Sequence, residues 1–238
     1  MDILGLIPAR GGSKSIPKKN IALLAGKPLL AYTCEAALQS RFLTRTLLTT
    51  DDPQIASLGH VLGVESPFLR PHELSRDETP ILPVILHALE WLAEQERFIP
   101  QAVVLLQPTS PLRRAEHIDA AVQIFRENKA DTVVSVMEVP HQFNPVSLMR
   151  LGADHQLRPY LDGPMVLRRQ EKPLLYARNG PAVLVVRRET LLQGNLYGEK
   201  TYPLRMGPVE SLDVDTVDDL ALAEFWMKHY PGKKRATH

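Results

Sequence analysis

Short apolar runs alternate with amphipathic stretches through the first 137 residues of the chain. The apolar runs predict buried strands at residues 3–8, 46–50, 102–106 and 132–137. The amphipathic stretches predict helices at residues 28–39, 53–62, 79–96 and 115–128. Strands that alternate with helices in this way predict an α/β fold, a Rossmann-like and mostly parallel sheet with helices on both faces.

The alternation breaks at about residue 140, and residues 140–176 contain five prolines among scattered apolar residues. The apolar residues are Phe143, Val146, Leu148, Met149, Tyr160, Met165 and Leu167. A disordered linker would contain fewer of them, so we expect an arm or subdomain that buries its apolar side, for example against a second subunit. Strands are predicted again at residues 182–186 and 211–215, and a last helix at residues 217–228.

The composition fits one domain of residues 1–238, because 238 residues with 44% hydrophobic content can bury a substantial core. The net charge of +1 disfavours a nucleic-acid-binding surface. The single cysteine, Cys34, lies in a predicted amphipathic helix, which favours a buried thiol over a nucleophile. Neither a signal peptide nor a membrane span is evident, so we expect a cytoplasmic protein whose basic tail at residues 233–235 is solvated.

A cationic, glycine-rich segment, IPARGGSKSIPKKN, follows the first predicted strand. Gly11 and Gly12 permit unusual backbone angles and the close approach of a ligand. Arg10 offers forked donors to a phosphate, while Lys14 and Lys19 act as point charges. Composition alone is equally consistent with a solvated basic turn. The position at the end of a strand in an α/β fold favours phosphate binding, although the P-loop and dinucleotide-binding patterns are absent here.

A pair of carboxylates lies near the end of the chain, in the segment SLDVDTVDDL. Alternation along a strand would place Asp213 and Asp215 on one face, where they repel each other unless a cation lies between them. Mg²⁺ suits such a pair. Thr216 and Asp219 predict a capping box for the last helix, which does not explain Asp213. A cationic loop and a magnesium pair together favour nucleotidyl transfer to a hydroxyl group.

With these segments the chain resembles the CMP-acylneuraminate synthetases, the cytidylyltransferases that activate sialic acid and its relatives. The matching segments occur in the family's order and span almost the whole chain: IPARGGSKSIPKKN, FLRPHELSRDETP, LLQPTSPLR, RNGPAVLVV and SLDVDTVDDL. The resemblance implies a fold like that of nucleotide-diphospho-sugar transferases, with residues 140–176 as an inserted dimerisation arm of a homodimer. It also implies that a nonulosonic acid attacks the α-phosphate of CTP through its anomeric hydroxyl and that pyrophosphate leaves.

The resemblance also implies roles for individual residues. The expected CTP ligands are Ala9, Arg10, Gly11, Gly12, Lys14, Lys19, Asn20 and Arg70, with Arg70 near the cytosine. The residues expected to line the acid site are Gln107, Thr109, Ser110, Arg169, Arg178 and Asn179. The expected Mg²⁺ ligands are Asp213 and Asp215, which form the catalytic set together with Arg10, Lys14 and Lys19.

Structural alternatives apply to three of these residues: Arg70 as a loop residue, Gln107 as a strand end, and Arg169 as part of a solvated basic run with Arg168. The expected partners are CTP and a small acidic sugar, without nucleic acid or membrane. The arm segment HQFNPVSLMR offers only Arg150 as a clear cation, which leaves the sialic, legionaminic and pseudaminic types of acid open. Two other functions also remain: a nucleotidylyltransferase for another sugar such as Kdo, and an inactive CTP-binding scaffold or sensor.

Overall fold

The structure is a computed structural model, and it describes residues 1–163, residue 166 and residues 168–230. The strands in this part of the chain are β1 (Ile3–Pro8), β2 (Leu23–Leu24), β3 (Lys27–Pro28), β4 (Arg45–Thr49), β5 (Ala102–Leu105), β6 (Thr132–Glu138), β7 (Met149–Leu151), β8 (Leu157–Pro159), β9 (Tyr176–Arg178), β10 (Leu184–Arg187) and β11 (Thr201–Arg205). The α-helices are α1 (Leu29–Leu38), α2 (Pro53–Val61), α3 (Ile81–Glu96), α4 (Ala115–Glu127), α5 (Arg188–Leu192) and α6 (Val217–His229).

The central sheet has the strand order β11-β6-β10-β5-β1-β4, and β9 pairs with β6 outside this path. Strand β1 runs parallel to β4 and β5, and β11 runs parallel to β6. Strand β10 lies antiparallel between β5 and β6. The prediction of a mostly parallel α/β sheet is therefore confirmed, with antiparallel strands added in its second half.

Helices cover both faces of the sheet, and the side chains of β1 show why. Ile3 and Ile7 pack in one apolar cluster with residues of α1 and α4, whereas Leu4 and Leu6 pack in another with residues of α3. Successive side chains of a strand point to opposite faces, so a continuous apolar run buries both. This covering also buries Cys34 completely on α1, as expected.

The helix predictions agree with the structure to within two residues at each end. Pro28 is the residue before α1, not part of its first turn. The side chain of Asp52 caps α2 by accepting a hydrogen bond from the Gln54 backbone N–H at 2.7 Å. Thr216 and Asp219 form the predicted capping box of α6. No helix in the described part of the chain is long and apolar enough to cross a membrane.

One strand prediction fails near the end of the chain, and strands β9 and β11 were not predicted. Residues 211–215 do not form a strand, because the backbone N–H of Val214 bonds to the carbonyl of Thr109 (2.7 Å) and no ladder follows. Instead, Val214 packs in a third apolar cluster with Ile16, Leu24, Leu29 and Ala223, which joins the first loop to α6. Strand β11 contains Pro203. It lies at the edge of the sheet, where proline is tolerated.

The irregular segment at residues 140–176 contains the hairpin β7–β8 and two short 3₁₀ turns, Pro145–Ser147 and Arg169–Glu171. It exposes large apolar side chains, namely Phe143, Leu148, Met149, Leu151, Leu157, Tyr160, Leu161, Leu174 and Tyr176. Met165 and Leu167 of the predicted apolar set lie outside the described residues, as does the basic tail at residues 233–235. The assignment of this segment as a dimerisation arm stays a prediction.

Candidate active site

The cationic loop, residues 9–20, crosses the carboxyl ends of β1 and β4. Its first residue, Ala9, is buried and extends the ladder by donating its backbone N–H to the carbonyl of Thr49 at 3.0 Å. The backbone N–H of Gly11 donates to Asp51 Oδ1 at 3.0 Å. Asn20 donates its side-chain amide to the carbonyl of Arg10 at 2.8 Å. These bonds hold the loop at the carboxyl ends of the strands, where ligands of α/β folds bind.

The two glycines of the loop differ in what surrounds them. A Cβ atom on Gly11 would lie 2.8 Å from Asp52 Oδ2, whereas one on Gly12 would meet nothing within 4 Å. Neither glycine has a positive φ, and the residue of the loop in the left-handed region is Lys18, at φ 51°. The expectation of unusual backbone angles at Gly11 and Gly12 is therefore wrong. Gly11 leaves room for the side chain that caps α2.

Arg10 and Lys14 converge on one carboxylate, that of Asp77. Lys14 Nζ lies 2.6 Å from Asp77 Oδ2, and Arg10 Nη1 pairs with Asp77 Oδ1. The hydrogen bonds from Lys14 and Arg10 hold the pKa of Asp77 below its usual range. The pair of cations can therefore bind an anion at the mouth of the loop.

Lys19 joins the loop to the end of the chain. Its Nζ lies 3.1 Å from the carbonyl of Val214 and 3.0 Å from Asp215 Oδ1. The Lys19 side chain is only 15% exposed, whereas that of Asp215 is 70% exposed. The fold thus brings the predicted phosphate loop and the predicted carboxylate pair into direct contact.

Two buried polar atoms at this place have no hydrogen-bond partner among the described residues. They are Asp213 Oδ1 and the hydroxyl oxygen of Ser110. Burial raises the pKa of Asp213, the side chain of Thr109 opposes this by hydrogen bonding to the carboxylate, and the charge of Asp215 adds to the increase. Buried polar atoms are usually paired, so these atoms mark a place where a ligand would bind.

The strand alternation that would place Asp213 and Asp215 on one face is absent, so the chemistry of the two carboxylates, and not their predicted spacing, is what suits a magnesium ion. A cation would pair with the orphaned Asp213 Oδ1 and offset the cost of burying that carboxylate. Within the described residues, no group of three or more metal-ligating side chains occurs. Two carboxylates agree with the way proteins hold Mg²⁺, which keeps waters and binds substrate phosphates in addition.

Arg70 lies inside the site and is not a solvated loop residue. It is 5% exposed, its Nε donates to Ser75 Oγ at 3.0 Å, and its Nη2 lies 3.8 Å from Asp51 Oδ1. Because the same Asp51 oxygen accepts from Gly11, Arg70 is linked to the cationic loop. Burial lowers the pKa of Arg70. A buried cation next to the loop can bind a polar ligand.

Sequence reasoning missed Arg113, although it belongs to the segment LLQPTSPLR. Its guanidinium is buried and donates to the carbonyls of Gln107 (3.0 Å) and Ala182 (2.9 Å) and to the hydroxyl of Thr33 (2.6 Å). Burial lowers its pKa to about 9. Arg113 therefore fixes the loop after β5, on which Gln107, Thr109 and Ser110 lie. Nothing in the local sequence, where Arg113 is followed directly by Arg114, distinguishes it from a solvated basic residue.

The candidate residues from the second half of the chain are placed less directly. Asn179 is buried, with its amide bound to Ser135 Oγ (2.5 Å) and Ser211 Oγ (2.8 Å). Arg178 donates to Tyr197 Oη at 2.9 Å and stacks on that ring. Arg169 is exposed in a short turn. In the described structure, no hydrogen bond or ion pair joins Arg169 or Arg178 to the loop or to Asp213.

Comparisons with known proteins identify the family of the chain. The cytidylyltransferase family matches the chain over residues 4–225. The CMP-N,N'-diacetyllegionaminic acid synthase of Legionella pneumophila is 36% identical over 230 residues, which cover 96% of this chain and 97% of that protein. The N-acylneuraminate cytidylyltransferase of Escherichia coli is 34% identical over 93% of this chain, and the match spans 51% of that longer protein.

A solved structure shows the same fold. The CMP:2-keto-3-deoxy-manno-octonic acid synthetase complexed with CTP superposes with a TM-score of 0.71, at 17% identity, over 96% of this chain and 99% of that one. At this level of identity the similarity establishes the fold alone.

Proposed function

The chain belongs to the cytidylyltransferase family, and on that premise we propose that it transfers CMP from CTP to the anomeric hydroxyl of a nonulosonic acid. The hydroxyl oxygen forms a bond to the α-phosphorus, the bond between that phosphorus and the α–β bridging oxygen breaks, pyrophosphate leaves, and the hydroxyl proton passes to water. The contact of Lys19 with Val214 and Asp215 carries this proposal, because it joins a phosphate-binding loop to a carboxylate pair.

The loop residues would bind and orient the nucleotide. Arg10, Lys14 and Lys19 would neutralise the triphosphate, which is how nucleotidyl transfer is chiefly promoted. Asn20, whose amide already touches the backbone of Arg10, would keep the loop closed around the phosphates. Arg70 would contact the cytosine, and its burial beside Asp51 supports this assignment.

Asp213 and Asp215 would hold the magnesium ion, which when bound offsets phosphate charge during the transfer. Replacing Asp213 by asparagine would lower kcat/KM by about a hundredfold or more. Asp218, which is exposed in the first turn of α6, supplies the matched control, since Asp218→Asn removes the same charge outside the pair. Full activity of Asp213→Asn in a folded protein would refute the metal assignment.

The acid would bind on the side of Gln107, Thr109 and Ser110, where the buried, unpaired hydroxyl of Ser110 supports a polar ligand. Arg169, Arg178 and Asn179 remain the candidates for its carboxylate and polar tail. Arg178 would have to leave Tyr197 to reach an acid in this site. We favour a legionaminic type of acid, since the relative that is 36% identical over nearly its full length is named for it.

The experiment that tests this function measures pyrophosphate release from CTP and Mg²⁺ with sialate, legionaminate, pseudaminate or Kdo as the acceptor. We expect release with one nine-carbon acid and none with UTP or without metal. Release with Kdo alone would keep the reaction and overturn the acceptor. CTP binding without release for any acceptor would favour the sensor.

The exposed apolar side chains of residues 140–176 would form the interface of a homodimer in the cytoplasm. Leu151 and Leu157 face each other across the β7–β8 hairpin and are more than half exposed. Replacing both by aspartate would shift the mass measured by sedimentation from dimer to monomer. A wild-type protein that sediments as a monomer would refute the dimer.

A further inference from the structure

Two cations of the loop share one carboxylate in the described structure, and this pairing is not forced by burial. Lys14 is 84% exposed, yet its Nζ lies 2.6 Å from Asp77 Oδ2. Arg10 binds the other oxygen of the same carboxylate. An exposed lysine is free to adopt many rotamers, so its position over Asp77 reflects electrostatic attraction.

Asp77 is presented by a folded segment between the 3₁₀ turn His72–Leu74 and helix α3. The hydroxyl of Thr79, at the end of that segment, donates back to the carbonyl of Glu73 in the 3₁₀ turn at 3.1 Å. Ser75 Oγ accepts from Arg70 Nε at 3.0 Å, which ties the segment to the buried arginine of the site. The carboxylate is thus held at the loop by a structured turn anchored on both sides.

We propose that Asp77 competes with polyphosphate for Arg10 and Lys14 and so promotes the release of pyrophosphate, an inference that rests on the proposed function. CTP or pyrophosphate must displace the carboxylate to reach both cations. When pyrophosphate begins to leave, Asp77 takes its place on them. Asp77 touches no substrate and acts through Arg10 and Lys14, so it is a positioning residue that sets the affinity for polyphosphate.

The competition has a selective consequence. For a ligand that needs both cations, the apparent Kd equals the intrinsic Kd divided by the fraction of protein in which Arg10 and Lys14 are released from Asp77. The Kd of a ligand that does not need these cations is unaffected. Pyrophosphate and CTP belong to the first class. CMP, which lacks the β- and γ-phosphates, belongs to the second. Exposed ion pairs are individually weak, so removing Asp77 would tighten pyrophosphate binding by about three- to tenfold.

The test is calorimetric titration of the full chain with inorganic pyrophosphate and, separately, with CMP. We expect Asp77→Asn to bind pyrophosphate about three- to tenfold more tightly and CMP with unchanged affinity. Asp77→Glu, which keeps the charge, would restore the wild-type value in part. The matched control is Glu78→Gln, which removes an adjacent charge that acts on Lys14 only through space and forms no ion pair with it among the described residues, and it would change the affinity by less than about twofold.

Each other outcome overturns the inference in a recognisable way. Unchanged or weaker pyrophosphate binding by Asp77→Asn would mean that Asp77 merely holds the cations in place. An equal effect of Glu78→Gln would reduce the result to net charge. A wild-type protein that binds neither CTP nor pyrophosphate would overturn the proposed function itself, which distinguishes that failure from a failure of the competition.

Discussion

Replacing Gly11 by alanine is expected to destabilise the nucleotide-free protein, whereas the same change at Gly12 is not. A Cβ atom on Gly11 would lie 2.8 Å from Asp52 Oδ2 and 2.9 Å from Asp52 Cβ, closer than real Cβ contacts. Either Asp52 moves and α2 loses its cap, which costs about 1 kcal/mol, or the loop moves and Gly11 loses its bond to Asp51, which costs about 1.5 to 3 kcal/mol.

Alanine also stabilises a protein by about 0.5 kcal/mol where the backbone accepts it, because it restricts the unfolded chain. This gain applies at both positions, since neither φ is left-handed and Gly12 has open space. Because the protein takes the less costly of the two alternatives, the net expectation is a loss of about 0.5 kcal/mol for Gly11→Ala and a gain of about 0.5 kcal/mol for Gly12→Ala. For a chain of this length the difference of about 1 kcal/mol corresponds to about 3 °C in Tm.

The assay is thermal unfolding of the two variants by circular dichroism without nucleotide, so that effects on ligand binding do not enter. Urea titration of the same proteins checks that the slope of the transition is unchanged. Equal Tm values for the two variants, or a lower value for Gly12→Ala, would refute the packing of Gly11 against the cap of α2.

Three further predictions concern buried polar groups. Burial raises the pKa of Asp213, so the folded state binds the proton of this carboxyl more tightly than the unfolded state does. As the pH rises from the usual aspartate pKa of 3.8 through the raised value, the wild type should therefore lose stability relative to Asp213→Asn. Parallel curves of Tm against pH for the two proteins between about pH 4 and 7 would contradict this. Arg113→Met should lower the free energy of unfolding, measured in urea, by about 2 to 4 kcal/mol, because two buried carbonyls lose a charged donor. Arg113→Lys should recover part of the lost stability. An unchanged urea midpoint for Arg113→Met would show that the guanidinium is dispensable. Burial raises the pKa of Cys34 to about 12, so a thiol reagent at pH 8 should label it only in urea, and rapid labelling of the native protein would place the thiol at the surface.

The sheet and its helices were largely predictable because their signals are local. Apolar runs buried on both faces mark β1, β5 and β6, and helical spacing with capping residues marks α2 and α6. The direction of β10 was not predictable, since it depends on how residues 140–183 return to the sheet. The sequence pattern of residues 211–215 is that of a strand, because buried Val214 lies between two aspartates. In the structure, however, the backbone N–H of Val214 bonds to a loop and not to a neighbouring strand.

The candidate site was predictable in its charged segments but not in its internal contacts. The composition of the loop points to phosphate, and the two aspartates suggest magnesium, although the strand spacing used to place them on one face is not present in the structure. The pairing of Asp77 with Arg10 and the support of Gln107 by Arg113 depend on which distant segments meet. Such contacts follow from the topology of the sheet and leave no mark in the local pattern.

The bond from Lys19 to Asp215 spans 196 positions of the chain. Between these two residues lie β4, β5, β6 and β10 of the central sheet, so the chain must complete most of the sheet before the two segments can meet. A fragment that carries the first loop but stops before Val214 would lack both contacts of the Lys19 ammonium, whatever the loop itself can bind.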